Sequence, residues 1–207
     1  MIDFELTEEK KILSYNYKTI GALDEAGRGP LAGPVVAACV IINANFSINN
    51  ELMEVNDSKK LTAKKRELLF DLIKKHFIDV GIGVCDHQTI DRINILQATF
   101  LAMKKAISSI KNKPDFLIID GSIKIPNCST PQETFIKGDG RVFSIAAASI
   151  IAKVTRDRIM LEMDRLYPDY GFIQHKGYGT KYHLEKLKQH GPCPIHRLSF
   201  NRVKQLV

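Results

Sequence analysis

Two adjacent acids, Asp24 and Glu25, close an apolar run and open into a loop dense in glycine and proline, Gly21-Ala-Leu-Asp-Glu-Ala-Gly-Arg-Gly-Pro-Leu-Ala-Gly-Pro34. Neighbouring carboxylates at a strand end repel each other unless a cation sits between them, and hard divalent cations prefer oxygen ligands. Two further acids stand where predicted strands stop: Asp120 in Ile119-Asp-Gly121 and Asp139 in Lys137-Gly-Asp-Gly140. In an α/β sheet neighbouring strand ends share one edge, and the loops there build sites. Three or four carboxylates meeting at such an edge imply bound metal. No His-x-x-x-His or paired-cysteine spacing accompanies them, which argues against zinc and for Mg²⁺ or Mn²⁺. Two such ions about 4 Å apart would clamp a scissile phosphate, activating water on one side and stabilising the leaving oxygen on the other. The expected chemistry is two-metal phosphodiester hydrolysis. Taken alone, Asp24-Glu25 also fits a solvated turn; the loop and the downstream acids favour a site.

The elements that must position these acids are legible as patterns. Phe4 to Tyr15 fits a short helix, and Lys18 to Asp24 a strand ending at the acid pair. Val35 to Ile42 is continuous and β-branched, as a buried strand requires. Thr62 is placed to cap a helix running to about His76, with Leu68, Leu69, Leu72 and Ile73 on its inner face. Asp79 to Cys85 reads as a third strand. Thr89 to about Ile110 reads as a helix, with Ile93, Leu96, Phe100, Met103 and Ile107 at three- and four-residue steps. Pro114 breaks that helix, Phe116 to Ile119 is a short buried strand, and Thr134 to Ile136 a fifth. Phe143 to Leu166 is a long Ala-rich helix, and a short one lies near Tyr182–Gln189. This succession predicts an α/β fold, a central five-stranded mixed sheet flanked by helices. A single catalytic domain over 1–207 is expected, with a small basic helical C-terminal extension from about 174.

Composition bounds the class. The chain has 207 residues, 44% hydrophobic and 26% charged, enough for one buried core and unlike a disordered or membrane protein. The acidic start lacks the layout of a signal peptide, and no apolar run approaches bilayer length. Four scattered cysteines, Cys39, Cys85, Cys128 and Cys193, fit a reduced cytoplasmic setting. The formal net charge is +7, and the segment from Gln174 carries seven Lys or Arg against one acid, Glu185. Such concentrated charge is the footprint of a phosphate-backbone binder, although it also fits a solvated basic tail.

The glycine loop has rivals to exclude. Gly27-Arg-Gly-Pro-Leu-Ala32 formally fits a dinucleotide fingerprint, but that motif must open a helix, and Pro34 with a β-branched run follows instead. No Gly-Lys-Ser/Thr closes a Walker loop.

Taken together, Asp24-Glu-Ala-Gly-Arg-Gly-Pro-Leu-Ala-Gly-Pro-Val-Val36 resembles the opening motif of bacterial ribonuclease HII. The likeness continues through Asn56-Asp-Ser-Lys-Lys-Leu61, Asn94-Ile-Leu-Gln-Ala-Thr99, Ile119-Asp-Gly121 and Lys137-Gly-Asp139. It runs on in Ser144-Ile-Ala-Ala-Ala-Ser149, Ala152-Lys-Val-Thr-Arg-Asp-Arg158, His175-Lys-Gly-Tyr-Gly-Thr180 and Gly191-Pro-Cys-Pro-Ile-His-Arg197. These blocks cover the chain in order from about 20 to 200. The sister type, ribonuclease HIII, would be expected to carry Gly-Lys-Gly where this chain has Gly-Arg-Gly.

The resemblance implies an RNase H-like fold. It further implies hydrolysis of RNA paired with DNA and incision 5′ of single ribonucleotides embedded in duplex DNA, leaving 3′-hydroxyl and 5′-phosphate ends. Carried over by position, the catalytic and metal-binding acids are Asp24, Glu25, Asp120 and Asp139, holding two Mn²⁺ or Mg²⁺ ions. Gly27, Arg28 and Gly29 match the segment that reads the ribose 2′-hydroxyl, the sugar group that separates RNA from DNA. Tyr178 matches the tyrosine packing on the next sugar. Asp157 rivals Asp139 as fourth ligand, but it lies inside a predicted helix between Arg156 and Arg158, where a local ion pair is the simpler role. Lys59, Lys60 and Lys153 are candidate phosphate contacts. His175, His183, His190 and His196 lack metal spacing and read as structural or phosphate-facing. The expected partner is nucleic acid, with no membrane association, and a monomer is expected. No dedicated partner-binding tail is expected at Asn201–Val207. The competing readings are a non-catalytic nucleic-acid-binding protein, which leaves the carboxylates without purpose, and another RNase H-fold nuclease such as an integrase-like strand transferase.

Overall fold

A computed structural model describes residues 5–205. The expected helical position of Phe4 and the last two residues of the C-terminal tail lie outside the described residues. In chain order the elements are α1 (Thr7–Leu13), β1 (Thr19–Ala26), β2 (Val35–Asn43), α2 (Ala63–His76), β3 (Asp79–Cys85), α3 (His87–Ser109), β4 (Phe116–Asp120), β5 (Gln132–Phe135), α4 (Phe143–Leu166), α5 (Phe172–His175), α6 (Lys181–His190) and α7 (Asn201–Lys204).

The strands form one five-stranded mixed sheet ordered β3-β2-β1-β4-β5. β1 pairs antiparallel with β2 and parallel with β4, and β4 pairs parallel with β5. Period-two alternation assigns the faces. Ala38, Val40 and Ile42 of β2 join Ile20, Ala22 and Ile118 in a core under α2 and α4. Val35, Ala37, Cys39 and Ile41 join Leu23, Leu117 and Ile119 in a second core under α3. The continuous apolar run of β2 is therefore a strand buried on both faces, as its β-branched composition predicted.

Local chemistry sets the helix starts. Thr62 caps α2 as expected, its hydroxyl accepting from the Lys65 amide at 3.2 Å. On that helix Leu69 and Ile73 are buried, but Leu68 is 53% exposed and Phe70 takes the expected inner place. α3 begins at His87, earlier than the pattern suggests, because Asp86 accepts from the Thr89 amide at 2.8 Å. It is also interrupted: Asn94 has φ 65°, and its side chain accepts from the Gln97 amide at 3.1 Å, which restarts the helix. α4 has no cap of its own at Val142. Buried Glu9 of α1 reaches it instead, accepting from the Ser144 amide at 2.9 Å and the Ser144 hydroxyl at 2.7 Å. A carboxylate there satisfies an orphan donor and meets the positive end of the helix.

α3 packs on β3 across two glycines. A Cβ on Gly83 would fall 2.0 Å from the Ala102 carbonyl oxygen, and one on Gly81 2.1 Å from that of Ala106. Gly83→Ala should therefore force the helix off the sheet and destabilise the fold by about 1–3 kcal/mol. A thermal melt checks this; an unchanged midpoint would mean that α3 can shift at no cost.

Candidate active site and nucleic-acid cleft

β1 runs two residues further than its sequence pattern suggests. Asp24 and Glu25 lie within the strand, paired in register with Ala38 and Ala37 of β2. The β1–β4 ladder stops at Leu23 and Ile119, so Asp120 at the end of β4 stands one step beyond the last paired residues. Where that ladder opens, Asp24, Glu25 and Asp120 line one cleft of about 240 Å³.

Three carboxylates meet in this cleft, Asp24 buried and Glu25 and Asp120 partly buried. Asp24 is only 5% exposed, and burial, then the charges of Glu25 and Asp120, raise its pKa well above the usual carboxylate range. Its Oδ1 accepts from the Glu25 amide at 2.6 Å. Burial also raises Glu25, opposed by the Arg28 guanidinium 3.4 Å away. Asp120 is raised by burial and by Asp139, opposed by the Gly138 amide that donates to its Oδ1 at 2.7 Å.

The remaining sequence-derived residues divide. Gly27, Arg28, Gly29 and Tyr178 rim the same cleft, as do Lys59 and Lys153. Asp139 is buried on the 3₁₀ turn Gly138–Gly140 just behind it and accepts from Lys59 Nζ at 2.8 Å. Lys60 does not join them: it faces a separate depression beside Glu54, Asn56 and Thr62. Asp157 pairs within α4 with Lys153 at 2.7 Å and lies 3.8 Å from Arg66. Ser58 and Ser149, unmarked by the sequence reading, also line the cleft and share a 2.8 Å hydrogen bond.

The donor set fits a hard divalent cation: it is all oxygen, and its charges are crowded and incompletely neutralised. Among the described residues, no three acidic, imidazole or thiolate side chains already stand as a ligand shell for one ion. Lys59 is the cation on Asp139.

The loop between β1 and β2 is held from the C-terminal side. Leu31 donates to the Gly177 carbonyl at 2.8 Å and Gly33 to that of Ile195 at 2.9 Å, while the Arg197 amide donates back to Leu31 at 2.8 Å. Gly27 has φ +103°, and a Cβ there would sit 2.2 Å from Arg156 Nε, so glycine is required twice over. At Gly29 an added Cβ would make an ordinary contact with the Tyr178 ring, 3.7 Å away. Two arginines lie buried beneath this loop, Arg156 and Arg197. Burial lowers their pKa values, to about 10 and about 9, so both remain cationic at neutral pH.

The expected basic extension is thus a packed unit rather than a tail. Leu31, Ala32 and Met160 share an apolar cluster with Tyr170, Phe172, Leu187, Ile195 and Val203. Three of its imidazoles, those of His175, His183 and His196, are buried, and burial lowers the pKa of each. The Tyr178 carbonyl accepts from His183 Nδ1 at 2.9 Å, so His183 Nε2 is the acceptor for His196 Nε2 at 3.1 Å. His196 Nδ1 then accepts from the Cys193 amide at 2.9 Å. His175 Nδ1 accepts from the Gly177 amide at 3.2 Å. Of the four histidines, only His190 is exposed.

A mixed sheet in this order, with α4 on one face, α3 on the other and acids where the central parallel ladder opens, defines the ribonuclease H-like class of α/β folds. The ribonuclease H2 of Pyrococcus horikoshii OT3 superimposes with a TM-score of 0.74 at 28% identity, covering 91% of this chain and 96% of that one. The Archaeoglobus fulgidus RNase HII, solved in a PCNA:RNase HII complex, gives 0.70 at 26% identity, covering 91% and 95%. The ribonuclease HII family model matches residues 20–203. The ribonuclease HII of Acetivibrio thermocellus is 55% identical over 194 residues, 94% of this chain and 74% of that protein. The chain belongs to the ribonuclease HII family and is accordingly a ribonuclease H, a nuclease acting on nucleic acid. Among the described residues no helix is long and apolar enough to cross a membrane.

The imidazole chain makes the C-terminal unit acid-sensitive. Burial lowers His183 and His196 to about 4, from an ordinary 6.5. The unfolded chain takes up protons near pH 6.5 while the folded chain does not, so stability falls as pH drops from about 6.5 towards 4, by on the order of a few kcal/mol. Urea unfolding at pH 7, 6 and 5 should show this slope, and His183→Gln should flatten it. Equal slopes in the two proteins would contradict the assignment.

Proposed function

We propose that this chain is one catalytic unit that hydrolyses the RNA strand of RNA–DNA hybrids and incises 5′ of ribonucleotides embedded in duplex DNA. The products are 3′-hydroxyl and 5′-phosphate ends. The observation that carries this reading is the meeting of Asp24, Glu25 and Asp120 in one cleft whose rim holds Gly27–Gly29 and Tyr178.

Asp24, Glu25 and Asp120 would hold two divalent cations, Mg²⁺ or Mn²⁺, together with Asp139. Asp139 is preferred to Asp157 because its charge acts on Asp120, whereas Asp157 is engaged with Lys153 within α4. Bound cations supply an activated water and charge neutralisation at the scissile phosphate. The protein contributes the rest. Its three carboxylates, Asp24 buried and Glu25 and Asp120 partly so, are raised by desolvation and favour any cation that enters. Gly27, Arg28 and Gly29 bring bare backbone against the ribose. Tyr178, 45% exposed at the rim, offers a flat face to the following sugar. A deoxyribose packs well there and a ribose less well, which gives the junction preference a steric origin. Lys59, Lys153 and, further out, Lys60 meet neighbouring phosphates.

The partner is nucleic acid and the enzyme acts as a monomer. The Archaeoglobus relative's PCNA complex adds a sliding clamp as a second partner class. Four free cysteines suit a reducing compartment, and a cytoplasmic setting is part of the proposal.

Two substitutions test this. With a duplex carrying one ribonucleotide and Mg²⁺ or Mn²⁺, Asp120→Asn should lower kcat at least about a thousandfold while hybrid binding stays largely intact. Near-normal turnover would remove Asp120 from the metal set. Tyr178→Ala should weaken cutting at the junction more than cutting of long hybrids, and an equal loss on both would contradict its role.

A further inference from the structure

Arg156 and Arg197 donate only to backbone. Arg156 reaches the carbonyls of Pro34 at 2.9 Å, Lys176 at 3.0 Å and Ala32 at 3.1 Å. Arg197 reaches those of Gly27 at 2.6 Å, Arg28 at 3.1 Å, Gly33 at 2.9 Å and Pro34 at 3.1 Å. Neither forms a salt bridge among the described residues, and both are at most 1% exposed. Burying a cation without a carboxylate is costly, so these two fold against a strong preference, and what they hold is the loop beneath the cleft rim.

The consequence for that loop follows from peptide geometry. A trans peptide unit is planar, with its carbonyl and its amide N–H pointing in opposite directions. Arg197 draws the Gly27 and Arg28 carbonyls inward, so the amides of Arg28 and Gly29 turn outward, on the side where both residues line the cleft. Among the described residues neither amide is bonded to a protein acceptor. Successive outward amides form an anion- and oxygen-binding concavity. A full positive charge on the carbonyl side polarises each peptide and strengthens its donor.

We infer that Arg197, assisted by Arg156, is a positioning residue for substrate selectivity: it flips the Gly27–Arg28 and Arg28–Gly29 peptide planes so that two free amide donors face the ribose. This rests on the reading of Gly27–Gly29 as the ribose-contacting segment. Lysine cannot replace it, because one ammonium cannot span four carbonyls that the planar fork reaches together. The position also explains why a charge counted with the basic extension contributes no exposed phosphate contact.

The test measures binding in the non-cleaving Asp120→Asn protein, using fluorescence anisotropy with two duplexes that differ by one ribonucleotide. The parent should bind the ribose-containing duplex more tightly. Adding Arg197→Lys should cut that ratio about tenfold, the loss expected for charge-supported hydrogen bonds, and Arg197→Met should do the same. A folded Arg197→Lys protein with the parent's ratio overturns the role of Arg197. A parent with no ribose preference removes the substrate reading of the loop, and this inference with it. Amide exchange in proteins that keep Arg197 decides the geometry even if the Arg197 variants do not fold. The Arg28 and Gly29 amides should exchange fast when free and slow once the ribose-containing duplex is added to the Asp120→Asn protein. Slow exchange in the free protein would mean that they point inward, against the inference.

Discussion

Asp24, Glu25 and Asp120 share one cleft, and desolvation with repulsion from neighbouring carboxylates raises the pKa of each. Much of the surrounding structure answers that repulsion. The Gly138 amide donates to Asp120, Arg28 stands beside Glu25, and Lys59 holds Asp139 just behind. Each of these relieves one carboxylate, and none neutralises Asp24, the most enclosed of the set. A cation is the partner proposed for such a group, because an unmatched buried carboxylate is among the costliest features a small core can carry.

The rim of the cleft depends on residues far away in the chain. The loop after β1 carries the glycines, yet its conformation is imposed by Arg156 from α4 and Arg197 from the C-terminal unit. The same unit holds Tyr178 through a chain of neutral imidazoles, His183 and His196. Loop and tyrosine are further joined through the Leu31 amide and the Gly177 carbonyl. The glycine loop and the Tyr178 segment are therefore tied into one packed unit, which Arg156 of α4 joins to the rest of the fold. Preorganisation of this kind is what the proposed discrimination by a single hydroxyl would require, since a mobile donor would follow either sugar.

Some of this was legible in the chain and some was not. The strands, α2 and α4 follow from apolar periodicity, the Thr62 cap and Pro114, all local features. The acids stood out because carboxylates next to glycine at strand ends have few structural uses. What escaped the pattern has a common cause. The extension of β1 through Glu25 is set by pairing with β2, the restart of α3 by the Asn94 side chain, and the partner at the start of α4, which begins at Phe143 as expected, is Glu9 from another helix. Ser58 and Ser149 meet only after α4 crosses the sheet. Arg156 read as a neighbour of Asp157 suited to a local ion pair and Arg197 as part of the basic extension, because an arginine in sequence carries no sign of which carbonyls it will find.

The sequence by itself determined the family, the order of elements and the chemical type of the site. Those depend on residue identity and short-range spacing, which one-dimensional order preserves. The tertiary structure decided which charges face solvent and which hold backbone. It placed Lys60 away from the cleft, engaged Asp157 within α4, and turned the basic extension into a packed brace for the glycine loop. The physical reason is that burial, and with it the strength of every charge and hydrogen bond, is a property of the packed neighbours and not of the residue.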